Sequence, residues 1–437
     1  MRRLLFVTPH FPPDTSAATH RARLLAPHLD ATGWAPTVLT CTPSSYGTRL
    51  DPDLLALVPG ALRIERVDAW PERLTRSLGV GDLGLRAWIP LRRRARALLA
   101  AERYHAIVIT TYPTWPAAFG PTLARESGIP FVLDLQDPWV GAWGLTTGPG
   151  GAPDLRSRVN RMIAVHIERG TAQGASAISA VSARTYEELQ VRVPEARGLP
   201  CAEIPLGGEE RDFAHVRSTP WTNPWWAPDD GRRHLAWVGT LLPTGIPVMR
   251  ALLTGLRDAV AREPSLGGRI ALHCLGTSNE TRTDAAQRVL PIARVLGIEH
   301  LVHEHAPRID YLDALRVLTR ADAIVLAGST EPHYTASRLY PALLAARPLI
   351  ACYHEASGVV TALRAAMRAP TARLVTFGDG GPDATTVAAL GAALAAVVAS
   401  PEWRAADVDR SAIDAWSARA MAARLGALLD RVAAPAA

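Results

Sequence analysis

The sequence predicts an α/β protein built from two doubly wound, Rossmann-like domains. Three observations predict it: short apolar runs alternate with helical patterns from the first residue, the alternation continues through both halves, and a proline- and tryptophan-rich stretch separates them. A chain of 437 residues has room for two or three domains. Hydrophobic residues make up 48% and charged residues 20%, and no apolar run approaches the ~20 residues that span a bilayer, so a soluble globular protein is expected.

In chain order, the first domain is expected over 1–217, with strands near 4–8, 36–40, 62–67, 106–110, 130–134, 176–181 and 201–205. Helical patterns fill the gaps, for example 17–32 and 155–173. Residues 218–231 contain three prolines and end in Asp229-Asp230-Gly231, which breaks regular structure and reads as the linker. The second domain, 232–400, repeats the scheme with strands near 234–239, 269–275, 301–304, 322–327, 348–353 and 372–376, and 401–437 reads as a helical tail. Two such sheets would bind ligands at the carboxyl ends of their strands, facing a cleft.

Composition excludes several chemistries. All 47 basic residues are arginine, so there is no Schiff-base or pyridoxal-phosphate lysine and no phosphate-loop Gly-Lys-Ser/Thr. The net charge of +6 is spread along the chain without a long basic run, which argues against nucleic acid as a partner. Cys41, Cys201, Cys274 and Cys352 stand alone and read as buried thiols. The apolar stretch after Arg3 meets Pro9 too soon for a signal peptide, so a cytoplasmic location is expected. No G-x-G-x-x-G follows the first strand and no G-x-S-x-G elbow exists, which disfavours a dinucleotide site and an α/β-hydrolase. Asp51-Pro52-Asp53 and Asp407-Val408-Asp409 have metal-diphosphate spacing, but neither follows a core strand. His303-Glu304-His305 puts two histidines on one strand face without an evident third ligand.

Three stretches carry candidate chemistry. Pro9 to Leu25 leaves the first strand for a helix, with small residues Ser16, Ala17 and Ala18 allowing a ligand near the backbone and His20 and Arg21 close behind. In Leu133-Asp134-Leu135-Gln136-Asp137-Pro138-Trp139, Asp137 lies just beyond a strand end, where a carboxylate can accept a hydroxyl proton; a turn cap before Pro138 is the alternative. Ser329 to Pro341 leaves strand 322–327 and opens a helix, where amides around Thr335, Ala336 and Ser337 and the Arg338 guanidinium suit a diphosphate.

At these three places the sequence resembles the bacterial retaining glycosyltransferases of family 4, which have the GT-B fold. The resemblance extends to Ala180-Val181-Ser182, Ile204-Pro205-Leu206-Gly207-Gly208-Glu209, Trp237-Val238-Gly239-Thr240-Leu241, Ala306-Pro307-Arg308-Ile309 and Ala345-Ala346-Arg347-Pro348. It implies two Rossmann-like domains facing across a cleft, the second binding a nucleotide diphosphate sugar and the first a glycan, lipid-linked or small-molecule acceptor. It also implies that Glu331 touches donor-sugar hydroxyls, that Ser337 and neighbouring amides hold phosphate beside Gly239 and Thr240, and that His20 and Asp137 line the first domain's side of the reaction centre, the catalytic residues then being His20, Asp137 and Glu331. Retention, metal independence and the lack of any cofactor beyond the donor belong to the same implication.

The departures are specific. Thr240 stands where the family has arginine, no lysine follows, and the second glutamate of the Glu-seven residues-Glu motif is replaced by Leu339 or Pro341. That leaves Arg338 as the donor cation, with the ribose contact either supplied elsewhere, for example by Glu355, or lost. A nucleotide-sugar epimerase on the same architecture and a non-catalytic binding protein remain alternatives. Residues 82–102 form the one basic amphipathic segment, readable as an anionic inner-membrane contact or as a crossover helix with a solvated arginine face.

Overall fold

The structure, a computed structural model, describes residues 1–75, 81–140, 155–332 and 338–433. It divides into two compact units, Met1–Gly207 with Ala418–Ala437, and Gly208–Ser417.

The first unit holds β1 (Arg2–Val7), β2 (Trp34–Cys41), β3 (Arg63–Val67), β4 (Ala106–Thr110), β5 (Phe131–Leu135), β6 (Ala177–Ala180) and β7 (Cys201–Glu203). They form one parallel sheet in the order β3-β2-β1-β4-β5-β6-β7, with Leu5 opposite Thr37 on one side and Ile107 on the other. Every residue of β4 and β5 is buried, which is why they read as continuous apolar runs and not as alternating ones. Leu91, Ala95 and Leu98 of the helix Leu83–Ala101 join the core formed with Leu5, Ile107 and Leu133.

A buried ion pair braces this unit. Arg21, on the helix Thr19–Leu25, meets Asp134 of β5 through Nε–Oδ2 at 2.9 Å and Nη2–Oδ1 at 2.6 Å. Ser179 of β6 donates to the same carboxylate at 2.7 Å, and Arg21 Nη1 donates to the Ile204 carbonyl. Both charges are fully enclosed, so their stability depends on this complete set of partners.

The second unit holds β8 (Arg233–Val238), β9 (Ile270–Leu275), β10 (Val302–His305), β11 (Ala323–Ala327), β12 (Leu349–His354) and β13 (Ala372–Phe377), parallel in the order β10-β9-β8-β11-β12-β13. The helices Ile246–Arg262 and Ala384–Ala399 approach so closely that a Cβ on Gly255 would stand 2.7 Å from the Val387 carbonyl oxygen.

The chain divides at places other than those the sequence suggested. The helix Glu210–Ser218 belongs to the second unit, where Tyr311 Oη donates to Asp212 at 2.7 Å and Arg217 Nη2 to the Leu344 carbonyl at 3.1 Å. Of residues 218–231, which belong to the same unit, Trp226 is buried: it stacks on His234 at 5.2 Å and lies 4.4 Å from the His273 ring. The tail splits, because the helix Ala418–Val432 buries Met421, Leu425 and Leu429 in the first unit. There Asp430 accepts from Trp34 Nε1 at 2.8 Å and pairs with Arg2.

Candidate active site

In each unit the candidate residues leave the carboxyl ends of parallel strands, the position at which open α/β sheets bind ligands. Gly239 follows β8 with φ +130°, left-handed backbone that favours glycine, and a Cβ there would stand 3.3 Å from Cζ and Nη1 of Arg338. Arg338 Nη2 donates to the Thr240 carbonyl at 3.3 Å, and its guanidinium lies 4.8 Å from the Trp237 ring centre. Gly239, Thr240 and Arg338 therefore meet in one place. Thr335, Ala336 and Ser337 lie outside the described residues. The helix that follows them is Leu339–Leu344, with Arg338 at its N-cap.

Glu331 follows β11 and is exposed, its amide donating to Ser329 Oγ at 3.1 Å. Thr330 donates to the Thr244 carbonyl through its amide at 3.0 Å and its hydroxyl at 3.3 Å, joining the loops after β8 and β11. Glu355, beyond β12, is exposed at the same edge of the sheet. Sequence reasoning missed Arg288, whose Nη1 donates to the Leu241 carbonyl at 2.6 Å. Its own amide donates to Glu304 at 2.7 Å, as does that of Leu290, so Glu304 holds backbone.

In the first unit, Ser16, Ala17 and His20 follow β1 and Asp137 follows β5. Ala17 is exposed. His20 is half-buried and its Nδ1 accepts from Arg23 Nε at 3.2 Å. Asp137 keeps solvent exposure, yet enough protein surrounds its carboxyl that desolvation pushes its pKa up. The Ser16 hydroxyl donates to Asp14, a fully buried carboxylate that the sequence reading passed over. Thr48 also donates to it, Thr19 Oγ1 donates at 2.9 Å, and His10 Nδ1 lies 2.6 Å away. Burial alone would raise this carboxyl, but the bond and charge of His10, with the Ser16 and Thr48 hydroxyls, outweigh it and hold Asp14 well below the usual carboxylate range. The signal available in sequence was the His-x-x-x-Asp spacing of residues 10 and 14 in a loop after a strand.

Among the described residues no group of three or more His, Cys, Asp or Glu side chains is placed to hold a metal ion. Asp51 caps the turn Pro52–Leu57 through the Asp53 amide, and Asp409 caps Arg410–Asp414. His303 stacks on His273 at 4.9 Å, and His305 packs edge-on against Trp225. Burial, with His303 and His234 beside it, pushes His273 down to about 3 and keeps it neutral. No described helix is long and apolar enough to cross a membrane. On the helix Leu83–Ala101, Arg94 pairs with Glu65 and Arg96 with Glu126, so much of the basic face is neutralised, while Leu85 and Ile89 are exposed.

Residues 16–202 match the family described as Glycosyl transferase 4-like domain. No curated protein matches the chain at the sequence level. Among solved structures, a UDP-forming α,α-trehalose-phosphate synthase from Burkholderia vietnamiensis is 15% identical with TM-score 0.60, covering 100% of both chains. The trehalose-6-phosphate synthase OtsA is 12% identical with TM-score 0.60, over 98% of this chain and 99% of that one. Anabaena HepE, solved with UDP and glucose, is 16% identical with TM-score 0.55, over 99% of this chain and 100% of that one. The fold is GT-B: two parallel sheets of seven and six strands with flanking helices.

Proposed function

We propose that the chain is a glycosyltransferase that moves a sugar from a nucleotide diphosphate sugar to a glycan, lipid-linked or small-molecule acceptor, with retention and without a metal. The observation that carries the reading is the meeting of Gly239, Thr240 and Arg338 at the carboxyl end of β8. A glycine whose left-handed backbone disfavours any side chain lets a ligand approach the main chain, and the neighbouring guanidinium matches a diphosphate in charge and in fork geometry. The GT-B fold and the glycosyl transferase 4-like segment at 16–202 support it.

In this reading the second unit binds the donor. Arg338 stabilises charge that develops on the leaving diphosphate as the bond to the anomeric carbon breaks, Glu331 meets sugar hydroxyls and Glu355 the ribose. Thr335, Ala336 and Ser337 complete the phosphate contacts. His20 and Asp137 of the first unit meet the acceptor, with the raised carboxyl of Asp137 suited to proton exchange. The reaction takes place in the cytoplasm, with the helix Leu83–Ala101 resting on an anionic inner-membrane surface.

Thermal unfolding with nucleoside diphosphates and nucleotide sugars tests the reading, beginning with UDP and UDP-glucose because HepE was solved with UDP. Ligand at 100 times its dissociation constant adds about 2.7 kcal/mol to the binding unit. Absence of any shift across the uridine, guanosine, adenosine and thymidine series would refute donor binding. Release of an epimerised free sugar in place of a glycoside would establish an epimerase.

A further inference from the structure

The second unit brings a further arginine to the turn after β8, and no role assigned above uses it. Arg288 stands between β9 and β10, and its Nη1 donates to the Leu241 carbonyl at 2.6 Å, while Arg338 Nη2 donates to the Thr240 carbonyl at 3.3 Å. Two guanidinium groups from separate elements thus meet consecutive carbonyls, whose Cα atoms are ~3.8 Å apart. The turn supplies no cation of its own: from Gly239 onward the first basic residue is Arg250, inside the helix Ile246–Arg262.

Arg288 is held from both sides. The Gly239 amide donates to the Leu275 carbonyl and the Leu241 amide to the Thr277 carbonyl, each at 2.9 Å, so the turn lies along the loop that leaves β9. The Leu241 and Val289 side chains are buried in one core. On β10, Glu304 accepts from the amides of Arg288 and Leu290 at 2.7 Å, from that of Val289 at 3.0 Å, and from the Thr277 hydroxyl. Those four donors occupy the carboxylate, so it fixes the backbone of residues 288–290 and does not pair with the guanidinium. The acidic residues of the β9–β10 connection are engaged elsewhere too, Asp284 with Arg282 and Glu280 with the Ser278 hydroxyl. Among the described residues Arg288 forms no ion pair, and its Nε and Nη2 have no hydrogen-bond partner and are not sealed from solvent. With Nη1 on the Leu241 carbonyl, the Nε–Nη2 edge remains, a fork that takes two oxygens of one phosphate.

A diphosphate and a monophosphate meet this arrangement differently. Arg338 lies against Gly239 and Arg288 reaches the turn at Leu241, so two phosphates laid along 239–241 face both cations, whereas one phosphate held by Arg338 leaves Arg288 without an anion. We propose that Arg288 is the second phosphate-binding cation of the donor site and makes it select a nucleoside diphosphate over a monophosphate, a role that rests on the donor reading above. It stands in for the basic side chains that the turn after β8 lacks.

The test is calorimetry on the full chain with UDP and UMP, or with the guanosine or adenosine pair if UDP does not bind. Arg288→Gln keeps a donor for the Leu241 carbonyl and loses the charge and the fork. It should lower UDP affinity ~10-fold and UMP affinity less than ~3-fold. Arg288→Lys keeps the charge without the fork and should fall between parent and Arg288→Gln for UDP. An arginine that only braced the loop would weaken both nucleotides together. Parental UDP affinity in a folded Arg288→Gln, or equal losses for UDP and UMP, therefore overturns the proposal while leaving the donor reading intact. If Arg288→Gln does not fold, Arg288→Lys decides by the same two affinities. A parent that binds no nucleoside diphosphate refutes the donor reading and this proposal with it.

Discussion

Replacing Arg338 by alanine should weaken nucleoside diphosphate binding more than any other single change in the second unit. The guanidinium is already placed: it rests on the Trp237 ring at 4.8 Å and donates to the Thr240 carbonyl at 3.3 Å, so little rotamer freedom is lost when a ligand arrives. A hydrogen bond to a charged group contributes about 1.5–3 kcal/mol, which is a ~10- to 150-fold loss in affinity for one diphosphate contact. Arg338→Lys keeps the charge without the planar fork and should fall between parent and alanine. Gly239→Ala approaches the same cation from the other side. Its Cβ would press on Cζ and Nη1 from 3.3 Å in strained backbone, so it should lower affinity without removing charge and cost about 1–3 kcal/mol of stability. Calorimetry with UDP, and with GDP or ADP if UDP does not bind, measures each variant after circular dichroism has established folding. Parental affinity in both Arg338→Ala and Gly239→Ala would show that the diphosphate does not sit at this turn.

Four further outcomes are expected. EDTA should leave the transfer rate intact, and restoration of a lost rate by manganese or magnesium would refute metal independence. Asp137→Asn and His20→Ala should lower kcat ~10²–10⁴-fold if each handles a proton, and near-parental kcat in both would make them structural. Anionic vesicles should carry the parent in flotation but not a variant with Ile89→Glu and Arg93→Gln, and a parent that never floats would end the membrane reading. Arg21→Met should cost about 3–5 kcal/mol by leaving the Asp134 carboxylate buried alone, whereas Arg21→Met with Asp134→Leu should recover much of the loss; a double variant as unstable as the summed single ones would refute the brace.

All thirteen strands were legible to within two residues, and the fully buried ones most plainly, since runs such as Ala106–Thr110 are apolar almost throughout. The unit boundaries were not. Residues 218–231 have the proline and glycine content of a linker, but Trp226 covers His234 and His273, and packing of that kind depends on partners far along the chain. The expected helix over 17–32 ends at Leu25 and continues as the short turns Ala26–His28 and Asp30–Thr32. Pro27, visible in the sequence, accounts for the break, and the left-handed Gly33 ends the last of these turns.

The candidate site divides along the same line between local and distant causes. Gly239, Thr240 and Arg338 could be singled out because each lies just past a strand end, a position the strand pattern itself supplies. Their contact spans 98 positions in sequence and comes from the adjacency of β8 and β11, which the alternation of strands and helices does not specify. Arg288 had no such marker: it stands between β9 and β10 and reaches Leu241 from a segment whose amides, residues 288–290, donate to Glu304 of β10. For the His10–Asp14 pair the obstacle was different, since both residues were in view and four positions apart. Whether a carboxylate in a loop is a solvated turn cap or a buried, ionised anchor depends on the hydroxyls that reach it. One of these, Thr48, comes from the loop after β2, and no reading of residues 9–25 alone could have supplied it.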